Sequence, residues 1–184
     1  MNDNVNGLIS QKNIDALLIT DPYNMRYISG FRGGEGVLYI SRNQHVLITD
    51  SRYTEAAGNE SDFTVAEENR ENPRTELLSK CISQDHARSL GYEDCSMLCS
   101  DFAMFKKKLN VETWVPMGQT VNELRQIKTP EELDYLRKAE SIGDAAFTAM
   151  LNFIKEGQTE LEVAARLEYE MKMNGAEGFS FDSI

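Results

Sequence analysis

Residues able to do chemistry gather at a few places along the chain. Cys95 and Cys99 lie one helical turn apart, and with His86 they could hold a metal ion. The third cysteine is Cys81, and no Cys-x-x-Cys pair is present. An odd, unpaired set fits three reduced, partly buried thiols better than a zinc site. Asp50, Arg52 and Glu55 could pass for acid–base machinery, but their spacing better suits a helix cap and an i, i+3 ion pair. Asp21 could serve as a catalytic carboxylate. In Asp21-Pro22-Tyr23-Asn24, however, it reads as turn chemistry, because Pro fixes φ while Asp and Asn bond nearby backbone. Arg32-Gly33-Gly34-Glu35-Gly36 invites a phosphate-binding reading. It has neither G-x-G-x-x-G nor a G-K-[ST] ending, and Glu35 would repel an anion.

These residues need a scaffold. Residues 16–20 and 37–41 are short runs rich in Leu, Ile and Val that suit a sheet interior, and 46–49 repeats the pattern after the polar turn Arg42-Asn43-Gln44. A helix is predicted to start at Asp50 or Ser51, with Glu55 in its first turn. Upstream, residues 4–11 form a short helix with Leu8 and Ile9 facing inward. Downstream, 63–66 and 89–93 read as strands, 75–83 as a helix burying Leu77, Leu78, Cys81 and Ile82, and 111–117 as the last strand. Ser100 is placed to cap a helix over 101–109, in which Phe102, Phe105 and Leu109 keep the helical rhythm. This alternation predicts an α/β sandwich with a largely parallel or mixed sheet.

The character changes near residue 121. Thr129-Pro130-Glu131-Glu132 is a capping box with Pro at the first helical position, and Thr159-Glu160-Leu161-Glu162 repeats the box. The first predicted helix, over 129–154, carries an apolar face of Leu133, Leu136, Ala139, Ile142, Phe147, Met150, Leu151 and Ile154, with Gly157 placed to end it. The second, over 159–175, is expected to bury Leu161, Ala164, Leu167 and Met171.

Composition narrows the classes. At 184 residues the chain has room for one domain, or one domain and part of another. A net charge of −11 disfavours nucleic acid as a partner, and Lys106-Lys107-Lys108 reads as a solvated face within that acidic balance. No apolar run is long enough to span a bilayer, and Met1-Asn2-Asp3-Asn4 carries no signal-peptide pattern. The expectation is a cytoplasmic protein.

Several independent spacings agree on one resemblance. Leu17-Leu18-Ile19-Thr20, Asp21, Asn24, Tyr27, Ser29-Gly30-Phe31 and Gly33 come first. They are followed by Leu47-Ile48-Thr49-Asp50, Arg52-Tyr53-Thr54-Glu55 and Ala57. In this order they resemble the N-terminal domain of the creatinase, prolidase and aminopeptidase P family, the "pita-bread" metallopeptidases. Leu90-Gly91-Tyr92-Glu93 resembles a further segment of that domain, and Leu124-Arg125-Gln126-Ile127-Lys128 resembles its linker. The runs from Lys128 to Ala139, Gly157 to Ala164 and Gly175 to Ile184 resemble the opening of the catalytic domain.

The resemblance implies a three-layer α/β/α N-terminal domain with a mixed sheet over 1–120. It implies a linker over 121–128, and over 129–184 the first helices of an incomplete pita-bread domain. It implies a homodimer acting on peptides with proline second from the N-terminus. Two divalent ions, Mn²⁺ or similar, would be held by two Asp, one His and two Glu beyond Ile184, so Asp182 is not a ligand and this chain alone is expected to be inactive. In some relatives the region of Phe31 and Arg32 reaches a neighbouring subunit's active site. Phe31 and Arg32, one apolar and one cationic, are therefore substrate-binding candidates, with Phe179 and Phe181. Equally, Phe31 could pack in the core and Arg32 could pair with a surface acid. A creatinase-like C–N hydrolase and a non-catalytic peptide-binding or assembly module of the same fold are the alternatives.

Overall fold

The computed structural model describes residues 2–181, with the side chains of residues 2 and 3 left out. Two compact units divide the chain, Met1–Gln126 and Ile127–Ile184.

The first unit is built on six strands, β1 (Ala16–Ile19), β2 (Val37–Ser41), β3 (His45–Asp50), β4 (Thr64–Glu68), β5 (Ser89–Tyr92) and β6 (Thr113–Pro116). They lie in the order β4-β3-β2-β1-β5-β6. The β1–β2 and β2–β3 pairs are antiparallel and the other three are parallel, so the sheet is mixed. Every residue of β1 and β2 is buried, as unbroken apolar runs require when both faces of a sheet are covered. The alternation of side chains divides them. Leu17, Ile19, Leu38, Ile40 and Leu47 pack under α1 (Asn2–Gln11), α2 (Pro22–Ser29) and α3 (Thr54–Glu60). Ala16, Leu18, Val37, Tyr39, Val46 and Ile48 pack under α4 (Arg74–Asp85) and α5 (Cys99–Lys108). The unit is thus a three-layer α/β/α sandwich.

Several local expectations differ from what is observed. The Asp21 segment is not a free-standing turn but the start of α2. The Asp21 carboxylate accepts the N–H groups of Tyr23 and Asn24, Pro22 takes the first helical position, and Gly30 closes the helix at φ 80°. After β3 the helix begins only at Thr54, because Asp50 is already occupied: its carboxylate pairs with the Arg52 guanidinium at 2.7 Å and also accepts the Arg52 N–H. Helix α5 is capped by Leu98, with Ser100 inside its first turn. A short helix, α6 (Thr120–Glu123), buries Val121 in the first unit's core, so the chain stays with this unit well past residue 120.

The second unit is a helical pair, α7 (Pro130–Phe153) and α8 (Glu160–Met173), each opened by a complete capping box, from Thr129 to Glu132 and from Thr159 to Glu162. Ala146 and Met150 of α7 are buried. Leu161, expected to be buried, is 79% exposed, and no residue of α8 is fully buried. One helix facing one other can cover only the contact line between them, and Leu161 lies off it.

Candidate functional site

The segment from Gly30 to Gly36 leaves α2 and enters β2 on a path that only glycine permits at its critical points. A Cβ on Gly36, at φ 137°, would meet the Ile48 carbonyl oxygen at 2.4 Å. One on Gly33 would meet the Phe31 ring at 2.2 Å. Phe31 points the other way from the loop surface: it is fully buried beneath the loop, edge-on to Tyr53 with centroids 6.2 Å apart. Its role here is to support the loop.

Arg32 is at the surface, with 53% of its side chain exposed. Its backbone N–H, Nε and Nη2 donate to the two carboxylate oxygens of Glu60 in α3 at 2.9, 3.2 and 2.9 Å. The same N–H and guanidinium hold the Glu60 carboxyl below the usual glutamate range. A guanidinium held in this way presents its charge in one orientation, with its Nε–Nη2 edge taken by the Glu60 carboxylate. Arg52 lies over the Tyr53 ring at 5.1 Å and adds a second cation to this side of the unit.

A second constellation lies where β1 and β5 end. Glu93 is 3% exposed, yet its carboxylate is well supplied with donors. Its Oε2 accepts the N–H groups of Thr20 at 2.6 Å and Asp21 at 2.8 Å, and its Oε1 accepts Asn24 Nδ2 at 2.7 Å. Asn24 Nδ2 also donates to Asn122 Oδ1 at 2.8 Å, and Tyr27 Oη donates to the Leu124 carbonyl at 2.9 Å. Asn24 and Tyr27 stand three apart on α2 and so share a face. Burial raises the Glu93 pKa. The N–H groups of Asp21 and Thr20 and the Asn24 amide pull it down, and the Asp21 charge pushes it up again, leaving a net rise. The motif residues Asp21, Asn24, Tyr27, Glu93 and Leu124 therefore converge on architecture: they tie β1, α2, β5 and the 120–126 stretch together.

Phe179 and Phe181 belong to the second unit. Phe179 is half-buried with Lys172 Nζ 5.5 Å from its ring centre, and Phe181 is 75% exposed. Asp182 and Ile184 lie outside the described residues. Cys81 is buried, and burial with the nearby Asp85 charge pushes its thiol up, while Cys95 and Cys99 are exposed. Among the described residues no three His, Cys, Asp or Glu side chains come together to hold a metal ion. No helix among them is long and apolar enough to cross a membrane.

Sequence reasoning missed Glu60 and Asn122. Glu60 is 28 positions from Arg32, and Asn122 is 98 from Asn24, so no local spacing links either pair.

Residues 3–127 match the Creatinase/Prolidase N-terminal domain, and residues 134–184 match Metallopeptidase family M24. An uncharacterized peptidase of Bacillus subtilis is 35% identical over 99% of this chain and 51% of its own length. A Xaa-Pro dipeptidase of Pyrococcus furiosus is 34% identical over 96% of this chain and 49% of its own. The solved structure of a Xaa-Pro dipeptidase from Bacillus anthracis superposes with a TM-score of 0.90 at 31% identity, over 98% of this chain and 50% of that one. The chain spans about half the length of the curated relatives it matches.

Proposed function

The chain belongs to the Creatinase/Prolidase N-terminal domain family, and from that membership we propose that it is part of a Xaa-Pro peptidase, cleaving peptides whose second residue is proline. The observation that carries this reading is the pair of matches in tandem, an N-terminal domain followed by a family M24 metallopeptidase stretch, in an arrangement shared with Xaa-Pro dipeptidases along nearly the whole chain.

Family M24 implies divalent metal in the parent enzyme, and Mn²⁺ or a similar ion suits the carboxylate-rich ligand set of the resemblance. Among the described residues no group of side chains supplies that set. What these residues would do is bind and position. Arg32, preset by Glu60, is proposed to meet the carboxylate of a peptide substrate, with Phe31 stiffening the loop from below. Phe179 and Phe181 are proposed to offer apolar surface to the peptide. Residues 1–126 are proposed as the N-terminal domain, with most of the expected passage at 121–128 packed into it, and 129 onward as the entry to the catalytic domain. A cytoplasmic homodimer completes the reading.

The test uses the full-length protein, loaded with Mn²⁺, on Xaa-Pro dipeptides, on Xaa-Pro-Yaa peptides and on creatine. Turnover of a proline peptide with none of creatine is expected. Arg32→Ala should raise KM by about tenfold, the loss of one charge-assisted contact, with kcat little changed. Hydrolysis of creatine, or of neither substrate, overturns the assignment. An unchanged KM removes Arg32 from it.

A further inference from the structure

The site around Glu93 is one hydrogen short. Asn24 Oδ1 and Thr20 Oγ1 are buried oxygens with no hydrogen-bond partner. Both belong to residues whose nitrogen atoms already donate to Glu93. A buried amide oxygen without a donor is costly, and Asn24 Oδ1 belongs to the same amide whose nitrogen lies 2.7 Å from the Glu93 carboxylate. As an ionised group Glu93 can only accept, so it orients the Asn24 amide nitrogen toward itself and strands the amide oxygen. A protonated Glu93 has an O–H to give. Rotating the Asn24 amide by half a turn would present Oδ1 to that O–H and satisfy the stranded oxygen.

The rotation cannot stop there. Asn24 Nδ2 is also the donor to Asn122 Oδ1, and that bond is lost or exchanged when the amide turns. Asn122 in turn donates through Nδ2 to Gln119 Oε1 at 2.6 Å and accepts from Arg125 Nη2 at 3.4 Å. Arg125 Nε is itself buried and unpartnered. A row of side-chain amides thus runs from one carboxylate to the last residues of the first unit, with unmatched atoms at both ends.

We propose that Glu93 is a buried proton-binding site whose occupancy sets the orientation of the Asn24 and Asn122 amides, and through them the hold on residues 119–125. The charged groups around it are few. Asp21, at the start of α2, is the ionised group that acts on Glu93, and it favours the bound proton. Thr20 from β1 and Asn24 from α2 bring neutral donors. Arg125 reaches the row only through Asn122, and Asp94, next along the chain, is engaged by the Gly118 N–H at 2.7 Å. Release of the proton leaves the arrangement seen here. Its uptake moves one hydrogen onto the carboxyl and turns the amides, with no covalent bond made or broken beyond the O–H and the Asn24–Asn122 hydrogen bond exchanged.

The experiment is a pH titration of this 184-residue chain by NMR, following the Glu93 carboxyl carbon and the side-chain NH₂ groups of Asn24 and Asn122. The Glu93 midpoint is expected above that of every exposed glutamate. Both asparagine NH₂ signals should shift with that same midpoint. In Glu93→Gln, which carries a permanent donor at the same place, they should stay at their low-pH positions throughout. Asn122→Ala should keep the Glu93 and Asn24 shifts and abolish those of the 119–125 backbone amides. A Glu93 midpoint among the exposed glutamates overturns the proposal, and so do asparagine signals that do not follow it. The wild-type titration alone decides these points even where a variant fails to fold.

Discussion

Asp15 and Ser89, 74 positions apart, hold each other from both sides. The Ser89 N–H and hydroxyl each donate to Asp15 Oδ2 at 2.8 Å, and the Asp15 N–H donates back to Ser89 Oγ at 2.9 Å and to the Ser89 carbonyl at 3.1 Å. With the Arg88 N–H, at 2.9 Å on the same carboxylate oxygen, this clasp sets β5 beside β1.

The clasp gives the protein a sensitivity to acid. Burial pushes the Asp15 carboxyl up, but the N–H groups of Ser89 and Arg88, the Ser89 hydroxyl and the Arg88 charge outweigh it, and the net shift is downward. A carboxyl lowered in the folded state adds stability above its unfolded pKa, and that stability is lost as pH falls through the folded one. Glu93 has the opposite sign, since its raised pKa favours the folded state at low pH and costs stability once pH exceeds it. Asp15→Asn should therefore flatten the acid limb of a stability–pH curve measured by urea unfolding between neutral and strongly acid pH. A variant whose acid limb runs parallel to the parent's would show that the clasp contributes nothing through ionisation.

Two glycines should respond to the same substitution with opposite signs. Gly36→Ala places a Cβ against the Ile48 carbonyl at a φ of 137° and should cost about 1–3 kcal/mol. Gly58→Ala lies inside α3 with open space around the new methyl and should gain up to about 1 kcal/mol. Urea midpoints moving down for the first and up for the second, at constant m, are the expected result.

The boundary of the first unit is testable by truncation. A chain ending at Gln126 keeps Val121, which is 2% exposed, and the Asn24–Asn122 bond, while a chain ending at Met117 loses both. Burying a valine is worth about 1.5–3 kcal/mol, so the shorter chain should unfold at clearly lower urea than the longer one. Equal midpoints would place the end of the folded unit before α6.

Locally encoded features were legible in the sequence. The β1–β3 strands carry unbroken apolar runs at 16–19, 37–40 and 46–48 because both faces of the sheet are covered, and the boxes at Thr129 and Thr159 are complete within four residues. Helix α2 was not legible, since Asp21-Pro22 opens a turn and a helix with the same residues. What decides is the packing of Met25 and Ile28 on the sheet. Glu93 was opaque for a related reason. A glutamate at the end of a strand ordinarily marks the exit to solvent, and the donors that allow its burial lie 69 to 73 positions away. Arg32 entered as a candidate through the family resemblance and its charge, with a surface acid as the alternative partner, whereas the identity of that acid, Glu60, required the fold.

The strand order carries a cost in time. Strands β1 to β4 are contiguous in sequence and can assemble as soon as they leave the ribosome, but the other neighbour of β1 begins only at Ser89. From the end of β4 to Ser89 the chain adds residues 69–88, which at roughly 5–20 residues per second takes about 1–4 s. Throughout that interval β1, whose four residues are all fully buried in the finished protein, borders a nascent sheet with its hydrogen-bonding edge unpaired. The period of greatest exposure to chaperones and to neighbouring nascent chains thus ends when the Arg88-Ser89 dipeptide emerges and closes on Asp15.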